Sequence, residues 1–239
     1  MQTASLSTTA YQTRQQSVQI DGERLLTIQS LLDQQQFYDP DQKAERLGIC
    51  SAAWPLFGLL WPSSIQLALK IIKRPICPNS KILEIGCGLG IASLTAQLLG
   101  HDITASDRHP LAGQFLNVNA ELNHLPRIRF KHGQWGDVPK PSLVDTNAPI
   151  LTGHYDHIMA SDVLYEPGSA VKVADFIQQF AAPNCTVWVV DPNRGYHNQL
   201  TRAMTDHGFD LEEHIRLTEP VNQQPYRGRL LVYGRAASV

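Results

Sequence analysis

Between residues 63 and 73 apolar side chains recur at helical spacing, at Ile65, Leu67, Ala68, Leu69, Ile71 and Ile72. The pattern predicts a helix with Ser63 or Ser64 as its N-cap, ended by Pro75 and Pro78. Beyond it the chain alternates between short apolar runs and amphipathic stretches. Strands are expected at 81–85, 102–106, 128–131, 157–161 and 186–190, and helices at 91–99, 110–123, 170–180 and 197–207. Gly100 and Gly208 stand where two of these helices should end. Two further strands, 211–217 and 229–234, close the series, and 134–153 reads as a loop. Strands alternating with helices predict an α/β fold, a doubly wound and mostly parallel sheet of seven strands.

The N-terminal part is less regular. Residues 1–17 are rich in Gln, Thr and Ser and carry no apolar period, so a loose tail is expected. Residues 18–74 form an extension packing on the core, and 75–239 hold the main domain. Within the extension, Val18, Ile20, Leu25, Leu26, Ile28, Leu31 and Leu32 imply a strand or helix laid against the body, before the turn Asp39-Pro40-Asp41. Residues 49–69 lack charge and are long enough to span a bilayer, but Pro55, Pro62 and the polar group Ser63, Ser64, Gln66 argue against a membrane helix.

Composition narrows the function. The chain has 239 residues, 43% of them hydrophobic and 18% charged, with a net charge of −2. No basic footprint for a nucleic-acid backbone is present, so nucleic-acid partners are not expected. Cys50, Cys77, Cys87 and Cys185 form no C-x-x-C pair, which points away from a zinc site or a disulfide framework and toward a reducing cytoplasm. The first residues do not read as a secretory signal. The nine histidines show no H-E-x-x-H ligand motif, and no metal is expected.

The candidate chemistry lies after the first strand of the main domain, in "ILEIGCGLG". Glycines at a strand-to-helix turn let backbone approach a ligand that any Cβ would obstruct. The dinucleotide pattern G-x-G-x-x-G requires glycine at 91, where Ile91 stands, and no Lys follows as in a phosphate loop. Glu84 precedes the turn, and Asp107 ends the next strand, where a carboxylate can accept both hydroxyls of a ribose. The residues thus describe a nucleoside pocket without a pyrophosphate; alternatively, Asp107 caps the helix beginning near Pro110. Cys87 reads as a small filler of the turn, and His109 and His197 as surface residues.

"LEIGCGLG" with "ASDRHP" resembles the first two motifs of class I S-adenosylmethionine-dependent methyltransferases, whose fold has seven strands. "LLWPSSIQLA", "GQW" and "ASDVLYEP" resemble the protein lysine methyltransferases among them. "DPNRGYHNQL" resembles the Asp-Pro-Gly-Arg segment of the branch that methylates the electron-transfer flavoprotein β subunit, with Asn193 in place of Gly. The resemblance covers roughly residues 55–235. It implies S-adenosylmethionine as cofactor, held by the turn residues Glu84, Gly86, Cys87, Gly88 and Gly90 and by Asp107 and Arg108. Trp61, Trp135 and Ser161 complete the cofactor side, with the two indoles as apolar walls. Trp61 could equally pack beside Phe57 and Leu60.

The same resemblance implies that Asp162 and Tyr165 form the catalytic pair and shape the acceptor site, the tyrosine ring walling a lysine channel. The expected partner is a protein carrying the acceptor lysine. Methyl transfer from a sulfonium is an in-line displacement that needs alignment and a neutral amine. A free lysine has a pKa of about 10.4, which a desolvated aromatic channel lowers, while the charge of Asp162 opposes that lowering. No residue is assigned as general base. Arg194 could line the acceptor mouth or pair with a carboxylate. A small-molecule methyltransferase and a non-catalytic cofactor-binding interaction protein are the alternatives. The sequence "SDVL" at 161–164 stands where enzymes that methylate adenine or glutamine amide nitrogen carry Asn-Pro-Pro-Tyr.

Overall fold

Residues 11–136 and 143–236 are described by the computed structural model. The chain enters as a hairpin of β1 (Thr13–Gln19) and β2 (Leu25–Leu31), so the part of the expected tail from Thr13 onward is strand. Residues 1–10 lie outside the described residues. The polar composition of β1 concealed it, because only Val18 of that strand is buried and the other partners of the core come from β2. Asp21 makes the turn by accepting from the backbone N–H groups of Glu23 and Arg24. Short helices α1 (Lys43–Arg46) and α5 (Leu143–Thr146) meet through Arg46 and Asp145, and α5 interrupts what reads as loop in sequence.

A 3-10 helix, Trp54–Gly58, leads into α2 (Pro62–Lys73). Trp61 is the N-cap, correcting the expectation of Ser63 or Ser64. Pro62 supplies the φ of the first helical turn and moves the boundary upstream. Ser64 Oγ instead donates to Trp61 O at 2.7 Å, and Ser63 Oγ bonds the Tyr226 hydroxyl. Residues 54–73 are apolar and long enough by composition to cross a membrane. In the fold they are two helices joined by an extended Leu59, and α2 packs into the core.

The remaining elements follow the predicted alternation: β3 (Lys81–Ile85), α3 (Ile91–Leu98), β4 (Asp102–Asp107), α4 (Ala112–Leu122), β5 (Arg129–His132), β6 (Tyr155–Ser161), α6 (Ser169–Phe180), β7 (Ala181–Asp191), α7 (His197–Asp206), β8 (Asp210–Leu217) and β9 (Gly228–Arg235). Strands β3 to β9 form one sheet in the order β5-β4-β3-β6-β7-β9-β8, with β9 antiparallel to both neighbours and the other pairs parallel. This is the doubly wound, mostly parallel seven-stranded α/β sheet that the pattern predicts.

Period-two alternation divides the core. Ile82, Met159, Trp188 and Val232 face the layer of α2, α3 and α4, whereas Leu83, Ile158, Val187 and Tyr233 face α6 and α7. Each fully buried aliphatic side chain contributes about 1.5–3 kcal/mol. The hairpin is pinned to α4 by Asn119 and Asn123, whose Oδ1 atoms accept from the N–H groups of Gln29 and Thr27. Asn119 also donates to Leu89 O in the glycine turn, linking hairpin, α4 and turn. Strand order reverses between β3 and β6, where an open sheet leaves a crevice at the carboxyl ends of its strands.

Candidate active site

A cleft of about 320 Å³ opens at that reversal point. Its floor is the turn between β3 and α3, fixed to β4 by Cys87 N–H to Ser106 O and by Gly88 N–H to Asp107 Oδ2, 2.9 Å. Gly88 has φ +52, and a Cβ there would lie 2.9 Å from Phe57 O. Gly90 is the N-cap of α3 at φ +78; a Cβ would strike Leu116 of α4 at 2.2 Å. Gly90 therefore serves helix packing and does not line the cleft, unlike Gly86, Cys87 and Gly88. Gly86 lies against Val163 and Trp135.

Asp107 is buried at the end of β4 and lines the cleft. Its Oδ1 accepts from His109 N–H at 2.8 Å, and α4 begins at Ala112 without a side-chain cap, so Asp107 does not cap that helix. Burial raises its pKa, against the backbone donors that favour the anion. Glu84 lies behind the turn, outside the cleft, and its Oε2 accepts from Ser93 N–H and Oγ–H in α3. Burial pushes the Glu84 carboxyl up to about 7, and Oε1 has no partner among the described residues. Cys87 is a buried thiol whose pKa burial raises well above the ordinary value, consistent with a filler.

His109, expected at the surface, is 2% exposed and stacks on Phe57 with ring centroids 3.7 Å apart. Burial lowers its pKa well below the ordinary value, with the charge of Arg108 acting in the same direction. Its Nδ1 accepts from Leu111 N–H, leaving the ring proton on Nε2, which is buried without a partner among the described residues. Phe57 and His109 both line the cleft, a wall that sequence reasoning missed. His-Pro after a strand reads as an exposed turn, and only the fold brings the 3-10 helix over it. His197, by contrast, is only half-buried, in the first turn of α7.

Ser161 and Asp162 leave the carboxyl end of β6 facing the glycine turn. Asp162 adopts φ +57, a left-handed conformation that Asp tolerates better than most residues. Its Oδ1 accepts from Arg194 Nε at 2.6 Å, so Arg194 both lines the mouth and pairs with a carboxylate. Tyr165, partly buried and with its pKa raised chiefly by burial, stands beside them. Trp61 and Trp135 are half-buried cleft walls; Trp61 Nε1 donates to Leu56 O, and Trp135 meets Phe176 edge-on. Arg108 also lines the cleft. Of the twelve predicted site residues, all but Glu84 and Gly90 are brought to this one cleft.

Against known proteins, the profile of the lysine methyltransferase family matches residues 58–204, which include the glycine turn, Asp107 and Asp162. This chain belongs to the lysine methyltransferase family. It is 28% identical over 165 residues to protein-lysine methyltransferase METTL21E of Bos taurus, covering 65% of this chain and 54% of that protein. To the electron transfer flavoprotein beta subunit lysine methyltransferase of Danio rerio it is 25% identical over 175 residues, covering 72% and 62%. The chain thus spans a little over half the length of these relatives. Among solved structures, a methyltransferase from Pyrococcus furiosus aligns with TM-score 0.56 at 16% identity, over 72% of this chain and 83% of that one. A SAM-dependent methyltransferase from Methanosarcina mazei aligns with TM-score 0.55 at 14% identity, over 70% and 98%. These two likenesses concern the fold.

Proposed function

We propose that the chain is an S-adenosylmethionine-dependent protein-lysine N-methyltransferase. The observation that carries this reading is a single cleft joining the cradle of Gly86, Gly88 and Asp107 to the mouth formed by Asp162, Tyr165 and Arg194. The cradle suits the cofactor: Gly86 and Gly88 line the cleft with bare backbone, and the buried Nε2 of His109 has no partner among the described residues. Asp107 would take the ribose hydroxyls, and Phe57, His109 and Trp135 offer flat apolar surface to the nucleoside. When bound, S-adenosylmethionine supplies an electrophilic methyl group.

The chain's own contribution is placement and desolvation. Tyr165 and Trp61 narrow the mouth and exclude water from an entering amine, which favours its neutral form. Arg194 engages the charge of Asp162, so the carboxylate can orient an amine without strongly stabilising its ammonium form. A protein acceptor agrees with the family and with the names of the relatives. The four unpaired cysteines agree with a cytoplasmic location.

The test is incubation of the protein with labelled S-adenosylmethionine and a cell lysate, followed by mass spectrometry of labelled proteins. The expected result is label on lysine Nζ that disappears with Asp162→Asn. Label confined to small molecules, or none in the presence of bound cofactor, would reject the protein-lysine reading.

A further inference from the structure

A second cleft, of about 550 Å³, lies beside the loop that follows β7. Arg216, Arg227, Arg229 and His214 line it, and among the described residues no carboxylate does. In a chain whose net charge is −2, three guanidinium groups gathered in one cleft call for a physical reason. Arg216 and Arg229 are direct cross-strand partners in the β8–β9 pair, and like charges set opposite one another destabilise a sheet. Neither Arg216 nor Arg227 has an ion-pair partner among the described residues. Asp191, 3.8 Å from Arg229, is buried and already accepts from the N–H groups of Asn193 and Arg194. Arg229 is held in place by donating to Asn193 Oδ1 at 2.8 Å and to His214 Nε2 at 3.1 Å.

Topology puts this cleft in line with the candidate active site. β9 begins and β8 ends at the edge where β6 and β7 terminate, since Asp191 pairs with Arg229 and Leu217 with Gly228. Asn193 lines the basic cleft, and its neighbour Arg194 lines the acceptor mouth, so one loop forms a wall of both. We propose that the basic cleft binds acidic side chains of the protein acceptor, next to the lysine presented at Asp162 and Tyr165. This rests on the protein-lysine reading given above. Arginine guanidinium groups take carboxylates in a bidentate fork. From β6 to β9 and β8 is two to three strand spacings, about 10–14 Å, which an extended peptide covers in roughly three or four residues. An acidic protein segment suits the cleft better than nucleic acid, because the cationic groups are gathered in one concavity next to the mouth and no net positive charge accompanies them.

The test uses the whole chain and short fluorescein-labelled peptides with a central lysine, carrying Asp either three and four positions away on both sides or Asn at the same places. Fluorescence anisotropy should show the Asp peptide binding at least about tenfold tighter than the Asn peptide, with the difference shrinking as salt rises. The double variant R216E/R227E should erase that preference, and R216Q/R227Q should reduce it. Calorimetry with S-adenosylmethionine on every sample separates the two readings. Unchanged cofactor affinity in the variants shows an intact fold, and absence of cofactor binding in the wild type would reject the methyltransferase reading alone. No preference for Asp over Asn, a preference untouched by the variants, or tighter binding of a single-stranded oligonucleotide of equal charge would overturn the acidic-segment assignment.

Discussion

Arg194 Nε lies 2.6 Å from Asp162 Oδ1, tying the loop after β7 to the carboxyl end of β6 across the mouth of the cleft. The bond fixes a carboxylate at the mouth of the cleft, where the proposed acceptor amine would enter. It joins two residues that are 32 positions apart in sequence. Asp162 also occupies the left-handed region, φ +57, so the backbone there is held against its ordinary preference by the surrounding contacts, among them its N–H to Val190 O.

Asp162→Asn tests the carboxylate without disturbing the backbone, since Asn tolerates that φ as well as Asp does. Turnover should fall about 100-fold or more, as expected when a positioning contact at the reacting centre is lost. Affinity for S-adenosylmethionine should change by no more than a few-fold. Single-turnover kinetics with calorimetry on the same sample would reveal it. Equal loss of binding and turnover would mean that Asp162 supports the cofactor site instead.

Asp107 lines the cleft and connects the turn to the His109 loop through two backbone hydrogen bonds, at the place where the proposed cofactor's ribose would lie. Asp107→Ala should weaken S-adenosylmethionine binding about 10- to 100-fold, the range for hydrogen bonds to a charged group. Asp107→Asn keeps one acceptor oxygen and should fall in between. Wild-type affinity in Asp107→Ala, by calorimetry, would remove the carboxylate from the cofactor site.

The turn glycines should separate by effect. Gly90 faces Leu116, so Gly90→Ala costs left-handed strain of about 1–2 kcal/mol plus repacking of a leucine, a fall in Tm of about 3–8 °C for a chain of this size. Its cofactor affinity should stay within a few-fold of wild type. Gly88 lines the cleft beneath Phe57, and Gly88→Ala should lower affinity as well as Tm. Differential scanning fluorimetry with and without S-adenosylmethionine distinguishes the two: the ligand-induced rise in Tm should persist in the first and shrink in the second.

Much of this was legible in the chain because the signals were local. Period-two and 3.6 spacing marked β3 to β9 and the five long helices, and the glycine spacing with Asp107 marked the cradle. The apolar cluster from Val18 to Leu32 pointed to β2, but β1 stayed hidden because its sequence is polar and its place depends on pairing with β2, which α4 holds through Asn119 and Asn123. His109 was misread because its burial depends on Phe57, which lies 52 positions earlier and stacks on it only after the 3-10 helix is placed. Glu84 and Gly90 carried the expected motif, but the fold uses them to anchor α3 and to admit Leu116.

Glu84 should give stability a distinctive pH dependence. Its pKa is about 7 in the folded chain against an ordinary 4.5, because burial outweighs the two hydrogen bonds from Ser93. Between pH 4.5 and 7 the folded state therefore binds more protons than the unfolded one, so the contribution of this group falls as pH rises through that window and is constant above it. Glu84→Gln removes the titration while keeping an oxygen for Ser93. Stability of the variant relative to wild type should grow with pH across the window, by up to about 3 kcal/mol, and then level off. His132 and His157 act in the opposite sense. Burial lowers their pKa values to about 4 and about 3, so protonation of the unfolded chain below their ordinary 6.5 makes stability rise with pH up to that value. Both chains share those histidines, and the comparison cancels them. Guanidinium chloride unfolding of both proteins at pH 5, 6, 7 and 8 measures the difference. A difference independent of pH would show that Glu84 is ionised in the fold throughout, and that the unpartnered Oε1 has found a donor.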